Sequence, residues 1–393
     1  MFRELVISIY LFFCRVLFII FRILPLRERT VLVASFPENN AYVAEALARK
    51  TDEEIHILCT FPLDKLQLKK SGRYYLIQFS LRNPFRWLNS MRLIATSRTV
   101  FVDNYFGWLA AKPFRSGVRC VQLWHAAGAI KRFGLKDSSI ERRSPRAHRR
   151  FRKVYDTFTH IVCGSEKMAD IFKDAFDVDD SRLLRTGVPR TDFFFNGEAL
   201  MRSNGRVRAT YDLPDKQIIL YAPTYRDEEL QISKLAIDLK AMEKALGDTH
   251  VLLLRLHPAV EVDLDVSNEG FVRNVSSYPD ISELLAAADI LISDYSSIPF
   301  EYALLGRPMI FHAYDLVDYE HSRGFWENYE SLVPGPVVAM TEEIIREIRG
   351  NDFDFERITH FSSDWNTYSN GHSSEQLIDY FYEQEKQQNA AHL

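Results

Sequence analysis

Beyond Arg29 the chain alternates short apolar runs with amphipathic segments, and it does so twice. The first half predicts strands at Val31–Phe36, Ile55–Cys59, Tyr75–Phe79, Thr99–Val102, Val118–Trp124 and His160–Cys163. Helices are expected between them at Ala41–Arg49, Pro84–Ile94 and Glu166–Phe176. The second half predicts strands at Gln217–Tyr221, Val251–Leu256, Phe271–Val275, Ile290–Ser293 and Met309–His312. Its helices are expected at Ile232–Leu246, Ile281–Ala288, Phe300–Leu305 and Glu342–Arg349, with a polar-faced terminal helix at Ser374–Gln388. Such alternation implies an α/β fold of parallel sheets covered by helices on both faces. A length of 393 residues favours two domains. Asn196–Arg208, polar with two glycines, reads as the linker. The expected division is a membrane-associating helix over 1–28, an N-terminal α/β domain over 29–205 and a C-terminal one over 206–393. Doubly wound sheets bind ligands outside the C-terminal ends of their strands, so the expected site is a cleft between two such domains.

Composition excludes some chemistry. The chain is 47% hydrophobic and 26% charged, as a protein with a large core should be. Cys14, Cys59, Cys120 and Cys163 lie in apolar runs without metal-ligand spacing and read as buried thiols of a reducing compartment. No metal site and no cofactor are expected. A Walker loop, a dinucleotide fingerprint and a Gly-x-Ser-x-Gly elbow are all missing from the sequence, which weakens ATPase, dehydrogenase and hydrolase readings.

Leu5 to Leu26 is mostly Leu, Ile, Val and Phe. It is too long for a signal-peptide core and lacks a small-residue cleavage site, so it is expected to be retained. Its length suits a membrane span, but Arg15 and Arg22 interrupt it. Glu4, Ser8, Arg15 and Arg22 share one helical stripe opposite an apolar face, which fits a helix lying in the membrane surface. The segment Lys131–Lys153 carries ten Lys or Arg residues, including Lys131, Arg132, Arg142, Arg143, Arg149 and Arg150, against Asp137 and Glu141. Such a cluster suits anionic lipid headgroups. Only Phe133 and Phe151 could stack on bases, so nucleic acid is not the expected partner.

Polar motifs gather where strands end. Ser293-Asp294-Tyr295-Ser296-Ser297 stands between a buried strand and a helical segment that contains Glu301. Backbone N–H groups at such a turn suit a phosphate, and the two hydroxyls add donors; the plainer reading is that one serine caps the helix. His125, followed by Gly128, ends another strand; Ala222-Pro223-Thr224-Tyr225-Arg226-Asp227 ends a third; Arg255-Leu256-His257-Pro258 ends a fourth. Both histidines are candidate general bases or stabilisers of phosphate charge.

These motifs, taken in order, resemble the CDP-glycerol glycerophosphotransferase family of teichoic acid enzymes. The resembling run covers roughly Val118 to Pro336. It includes Leu123-Trp124-His125, Lys131 with Gly134, Thr186-Gly187-Val188-Pro189-Arg190-Thr191-Asp192, Ala222-Pro223-Thr224-Tyr225-Arg226-Asp227, Arg255-Leu256-His257-Pro258, the serine turn, Leu305-Gly306-Arg307-Pro308, and Arg323-Gly324-Phe325 leading to Val333–Pro336. Polymerases of the family usually show His-Gly-Thr-Pro where this chain has His125-Ala126-Ala127-Gly128. The Ala-Ala-Gly form and the length resemble the priming members.

The resemblance implies two Rossmann-like halves of GT-B type, held peripherally on the cytoplasmic face of the cell membrane. It implies transfer of one glycerol phosphate from CDP-glycerol to an undecaprenyl-diphosphate-linked ManNAc-GlcNAc disaccharide, with release of CMP. His125 would be the base, with His257 as the other catalytic histidine. Thr224, Arg226, Arg255, Ser293, Asp294, Ser296, Ser297, Glu301 and Arg323 would hold the donor and its charge. A homo-oligomer or a wall-polymer enzyme complex is a possible further partner. The alternatives are a poly(glycerol or ribitol phosphate) polymerase, a capsule phosphotransferase, a nucleotide-sugar glycosyltransferase of GT-B type, or a non-catalytic membrane scaffold.

Overall fold

The structure, a computed structural model, describes residues 2–68, 73–140, 142–224, 235–256 and 270–390. It packs as two compact units. One comprises residues 1–126, 133–192 and 368–393, the other 127–132 and 193–367.

The first unit opens with α1 (Phe2–Phe21). Among the described residues its sheet has seven strands: β1 (Arg27–Ala34), β2 (Glu54–Cys59), β3 (Tyr74–Gln78), β4 (Ser97–Val102), β5 (Arg119–Gln122), β6 (His160–Val162) and β7 (Leu183–Leu184). They run parallel in the order β3-β2-β1-β4-β5-β6-β7. The helices α2 (Pro37–Lys50), α3 (Pro84–Thr96), α4 (Pro145–Tyr155) and α5 (Glu166–Phe176) belong to it. Thr30–Ala34 is buried throughout, as a parallel strand covered on both faces must be.

The second unit begins with α6 (Gly197–Thr210). Its strands are β8 (Gln217–Tyr221), β9 (His250–Leu254), β10 (Val272–Asn274), β11 (Ile290–Ser293), β12 (Met309–His312) and β13 (Val337–Val338), in the parallel order β10-β9-β8-β11-β12-β13. With them go α7 (Leu239–Leu246), α8 (Ile281–Ala287), α9 (Ile298–Tyr302), α10 (Leu316–Arg323), α11 (Tyr329–Leu332), α12 (Thr341–Gly350) and α13 (Phe355–Trp365). The last helix, α14 (Ser373–Ala390), returns to the first unit. There Leu377, Ile378 and Phe381 join Leu32, Ile57 and Phe101 in the core. Asp192 caps its start, accepting from Ser373 N–H at 2.7 Å and Ser374 N–H at 2.9 Å.

Both sheets reverse strand order once, between β1 and β4 and between β8 and β11. These are the switch points at which an open α/β sheet leaves a crevice for ligands.

The expected linker Asn196–Arg208 is instead a helix. Asn196 accepts from Ala199 N–H at 3.0 Å, and Ser203 and Val207 bury one face of α6, so capping and packing outweigh the cost of Gly205. Expected strand ends are off by up to four residues, and β7 and β13, of two residues each, were not anticipated. The first three residues of the helix expected from Ile232 lie outside the described residues, and the described helix there is Leu239–Leu246. All four cysteines are buried and unpaired, and burial pushes the Cys59 thiol up to about 12. Among the described residues no cluster of His, Cys, Asp or Glu could hold a metal ion.

Candidate active site

At the switch point of the first unit, Ser35-Phe36 follows β1 and Asp103 follows β4. The Asp103 carboxylate is fully buried. It accepts from Ser35 N–H at 2.8 Å, Ser35 Oγ at 2.8 Å, Phe36 N–H at 2.8 Å and Asn40 Nδ2 at 2.8 Å. Burial pushes this carboxyl up to about 6 despite those donors.

The Asp103 backbone carbonyl lies 3.1 Å from His125 Nδ1, just beyond β5. A carbonyl only accepts, so Nδ1 carries the proton of the neutral ring and Nε2 keeps its lone pair. The imidazole is stacked on Phe36 at 4.7 Å and lies tilted against Trp124 at 4.4 Å between centroids. Burial holds the His125 pKa below its ordinary value, and the Arg190 charge adds to this against the Asp103 carbonyl. The ring is therefore neutral at pH 7, with its basic nitrogen at Nε2.

The backbone that delivers His125 is strained. Trp124 has φ of 58°, a left-handed conformation that costs a bulky residue about 1–3 kcal/mol. Its ring is locked against Phe133 at 4.4 Å and Phe172 and Phe176 at 5.7 Å. Asn39 Nδ2 donates to Trp124 O at 3.0 Å, Arg190 N–H to Asn39 Oδ1 at 2.9 Å, and an Arg190 guanidinium nitrogen to His125 O at 3.2 Å. The Gly187–Asp192 motif thus braces the histidine turn through Arg190 and caps α14 through Asp192. Sequence reading missed Asp103 and Asn39 as parts of this site and placed Arg190 only within a motif.

The second unit repeats the plan at its own switch point. Asp294, after β11, is buried and accepts from Thr224 N–H, after β8, at 2.7 Å. Ser293 Oγ donates to Ala222 O at 2.9 Å. Ser296 and Ser297 are half-buried. Ser296 Oγ accepts from Ile298 N–H at 3.3 Å, while Ser297 stands at the head of α9 without capping it through its side chain. Glu301 is buried in the first turn of α9. Tyr295 is buried, donates to Asp315 Oδ1 at 2.9 Å and stacks on Tyr319 at 3.9 Å. A single guanidinium nitrogen of Arg255 donates to Val275 O and Ser276 O, both at 2.9 Å, and to Tyr278 O, so this arginine holds the turn after β10. Arg226 and His257 lie outside the described residues.

The 127–132 segment packs into the second unit. Lys131 pairs with Phe325 in an isolated bridge and places its ammonium 5.9 Å from the Tyr319 ring centroid. Arg132 N–H donates to Gly324 O at 3.0 Å and its Nε to Phe325 O at 2.9 Å. Lys131 and the exposed Arg323, far apart in sequence, are thereby brought to one place. Gly128 lies against Phe300, where a Cβ would meet the ring at 2.3 Å.

Of the residues expected at a membrane, Arg142, Arg143, Arg149 and Arg15 are exposed. Arg150 instead pairs with Glu4 of α1 at 3.0 Å and 3.2 Å, and Arg22 donates to the carbonyls of Lys112 and Phe114. These contacts tie down Glu4 and Arg22, the two ends of the expected polar stripe. Ser8 and Arg15 of that stripe are instead exposed beside Leu5, Ile9, Phe12 and Ile19, and the buried face is apolar, with Cys14 and Phe18.

The family described as CDP-Glycerol:Poly(glycerophosphate) glycerophosphotransferase matches residues 16–383. The chain belongs to this family. A teichoic acid glycerol-phosphate primase of Bacillus spizizenii (strain W23) is 36% identical over 95% of this glycerophosphotransferase and 97% of its own length. A teichoic acid poly(ribitol-phosphate) polymerase of the same strain is 31% identical over 92% of the chain but only 57% of its own length. A structure of the wall teichoic acid polymerase TagF, a histidine variant soaked with CDPG, superposes with a TM-score of 0.78 at 26% identity. The match covers 92% of this chain and 90% of that one. The glycerophosphotransferase therefore has the GT-B-like fold with two Rossmann-like parallel sheets.

Proposed function

We propose that this enzyme transfers a single glycerol phosphate from CDP-glycerol to a polyprenyl-diphosphate-linked disaccharide, the priming step of wall teichoic acid synthesis. The observation that carries the reading is the neutral His125, aimed by Asp103, in a chain that matches a glycerol-phosphate primase over 95% of its length. An acceptor hydroxyl attacks the glycerol-bearing phosphorus and gives its proton to His125 Nε2. The bond from that phosphorus to the bridging oxygen breaks, and CMP leaves with the electron pair. Stabilising the departing charge is work for cationic and N–H donors, because phosphoryl transfer depends mainly on positioning and electrostatics. Arg226, His257 and Arg323 are assigned that role, and Ser296 and Ser297 the pyrophosphate.

An acceptor on a polyprenyl lipid requires the enzyme at a bilayer. The exposed apolar face of α1 and the exposed arginines of α4 support peripheral attachment at the cytoplasmic face. The test is CMP release by the purified protein with lipid-linked disaccharide and each of CDP-glycerol, CDP-ribitol and UDP-sugars. Acceptor-dependent release from CDP-glycerol alone is expected. Turnover of another donor in its place would discard the substrate assignment.

A further inference from the structure

A second apolar element stands beside α1. Leu81, Phe85 and Leu88 are 64%, 84% and 39% exposed at the entry to α3. Phe85 and Leu88, three residues apart, share one face of the helix, and Leu81 stands in the turn that leads into it. Exposed large side chains are ordinary singly, but three clustered in one short segment mark a contact surface. Their display is fixed: Asn83 Oδ1 accepts from Arg86 N–H at 3.1 Å and Pro84 occupies the first turn, so the helix start is capped. Arg82 and Arg86, both exposed, alternate with the apolar residues. Next to them Trp87 is half-buried, its ring 6.3 Å from Tyr10 of α1, against which α3 packs.

We infer that the Leu81–Leu88 segment is a second membrane-inserting wedge, entering an anionic lipid surface alongside α1. The inference rests on the membrane reading above and adds a residue-level contact to it. Apolar side chains flanked by arginines, with an indole at the border, match the acyl, phosphate and interfacial layers of a bilayer. A second copy of this chain is the poorer occupant, because a two-fold contact would set Arg82 and Arg86 against their own counterparts. Two separate insertion points also stop a surface helix from rolling about its axis, which one helix alone does not achieve.

The experiment uses the full chain and vesicles of phosphatidylcholine with phosphatidylglycerol. The native cysteines are all buried, so Phe85→Cys can be labelled selectively with a polarity-sensitive dye. The expected result is a blue shift on vesicle addition and quenching by brominated acyl chains. In parallel, Leu81→Ser combined with Phe85→Ser should weaken vesicle partitioning by about tenfold with α1 intact. Normal pelleting with a dye that stays water-exposed, and a double variant that binds as the parent does, would overturn the wedge and leave α1 as the sole anchor. Failure of the unaltered protein to pellet would overturn the membrane reading itself. If the double variant dissociates an oligomer in light scattering while vesicle binding is unchanged, the surface belongs to a second copy and the inference falls.

Discussion

At the scale of single residues, the proposed proton transfer rests on His125 and the aspartate behind it. His125→Ala should lower kcat by about a hundredfold to ten-thousandfold with little change in thermal stability, as loss of a general base does. Its sign with pH is set by the lowered pKa. The working form is neutral, so kcat/KM should be flat through neutrality and fall only as pH drops through a value below 6.5. An acid limb above pH 7 in the pH–rate profile would contradict this. Asp103 acts through others: its carboxylate gathers Ser35, Phe36 and Asn40, and its carbonyl sets the imidazole tautomer. Asp103→Ala would strand several buried donors and should cost about 3 kcal/mol in denaturant unfolding. It should also lower activity in the protein that still folds. The sequence displayed His125 at a strand end. It held no equal signal for Asp103, because a lone aspartate after a strand has no spacing pattern and its partners lie 63 to 68 residues away.

At the scale of elements, α14 helps build the core of the first unit, while α1 presents an exposed apolar face. Phe381 of α14 packs edge-on to Phe101 at 6.2 Å between centroids within that core. Phe381→Ala should destabilise the protein by about 3–5 kcal/mol, read as a lowered unfolding midpoint. For α1, Ile9→Ser with Phe12→Ser and Ile19→Ser changes only the exposed face. Vesicle binding should fall by more than about tenfold while the unfolding midpoint holds; an unchanged affinity would remove α1 as an anchor. Strands were the most legible elements, since Gln217–Tyr221, Ile290–Ser293 and Met309–His312 are apolar runs of strand length between turn residues. Helix α6 was not, because its polar surface and glycine resemble a linker until Ser203 and Val207 find their partners. The basic run was read as one surface, yet Lys131 and Arg132 pack in the second unit while Arg150 pairs with Glu4. A sequence shows charge but not which charges find tertiary partners.

At the scale of the whole molecule, two sheets share one device. In each, an aspartate following the strand across the switch point accepts the backbone N–H groups of the turn after the central strand: Asp103 takes Ser35 and Phe36, and Asp294 takes Thr224. The same connection shapes a histidine-bearing turn in one unit and the serine turn in the other, although the two halves share no visible sequence repeat. The proposed reaction adds one glycerol phosphate and stops. The most direct measurement is mass spectrometry of the lipid-linked disaccharide after incubation with a large excess of CDP-glycerol. A single product heavier by one glycerol phosphate is predicted, and a ladder of successive additions would contradict the account.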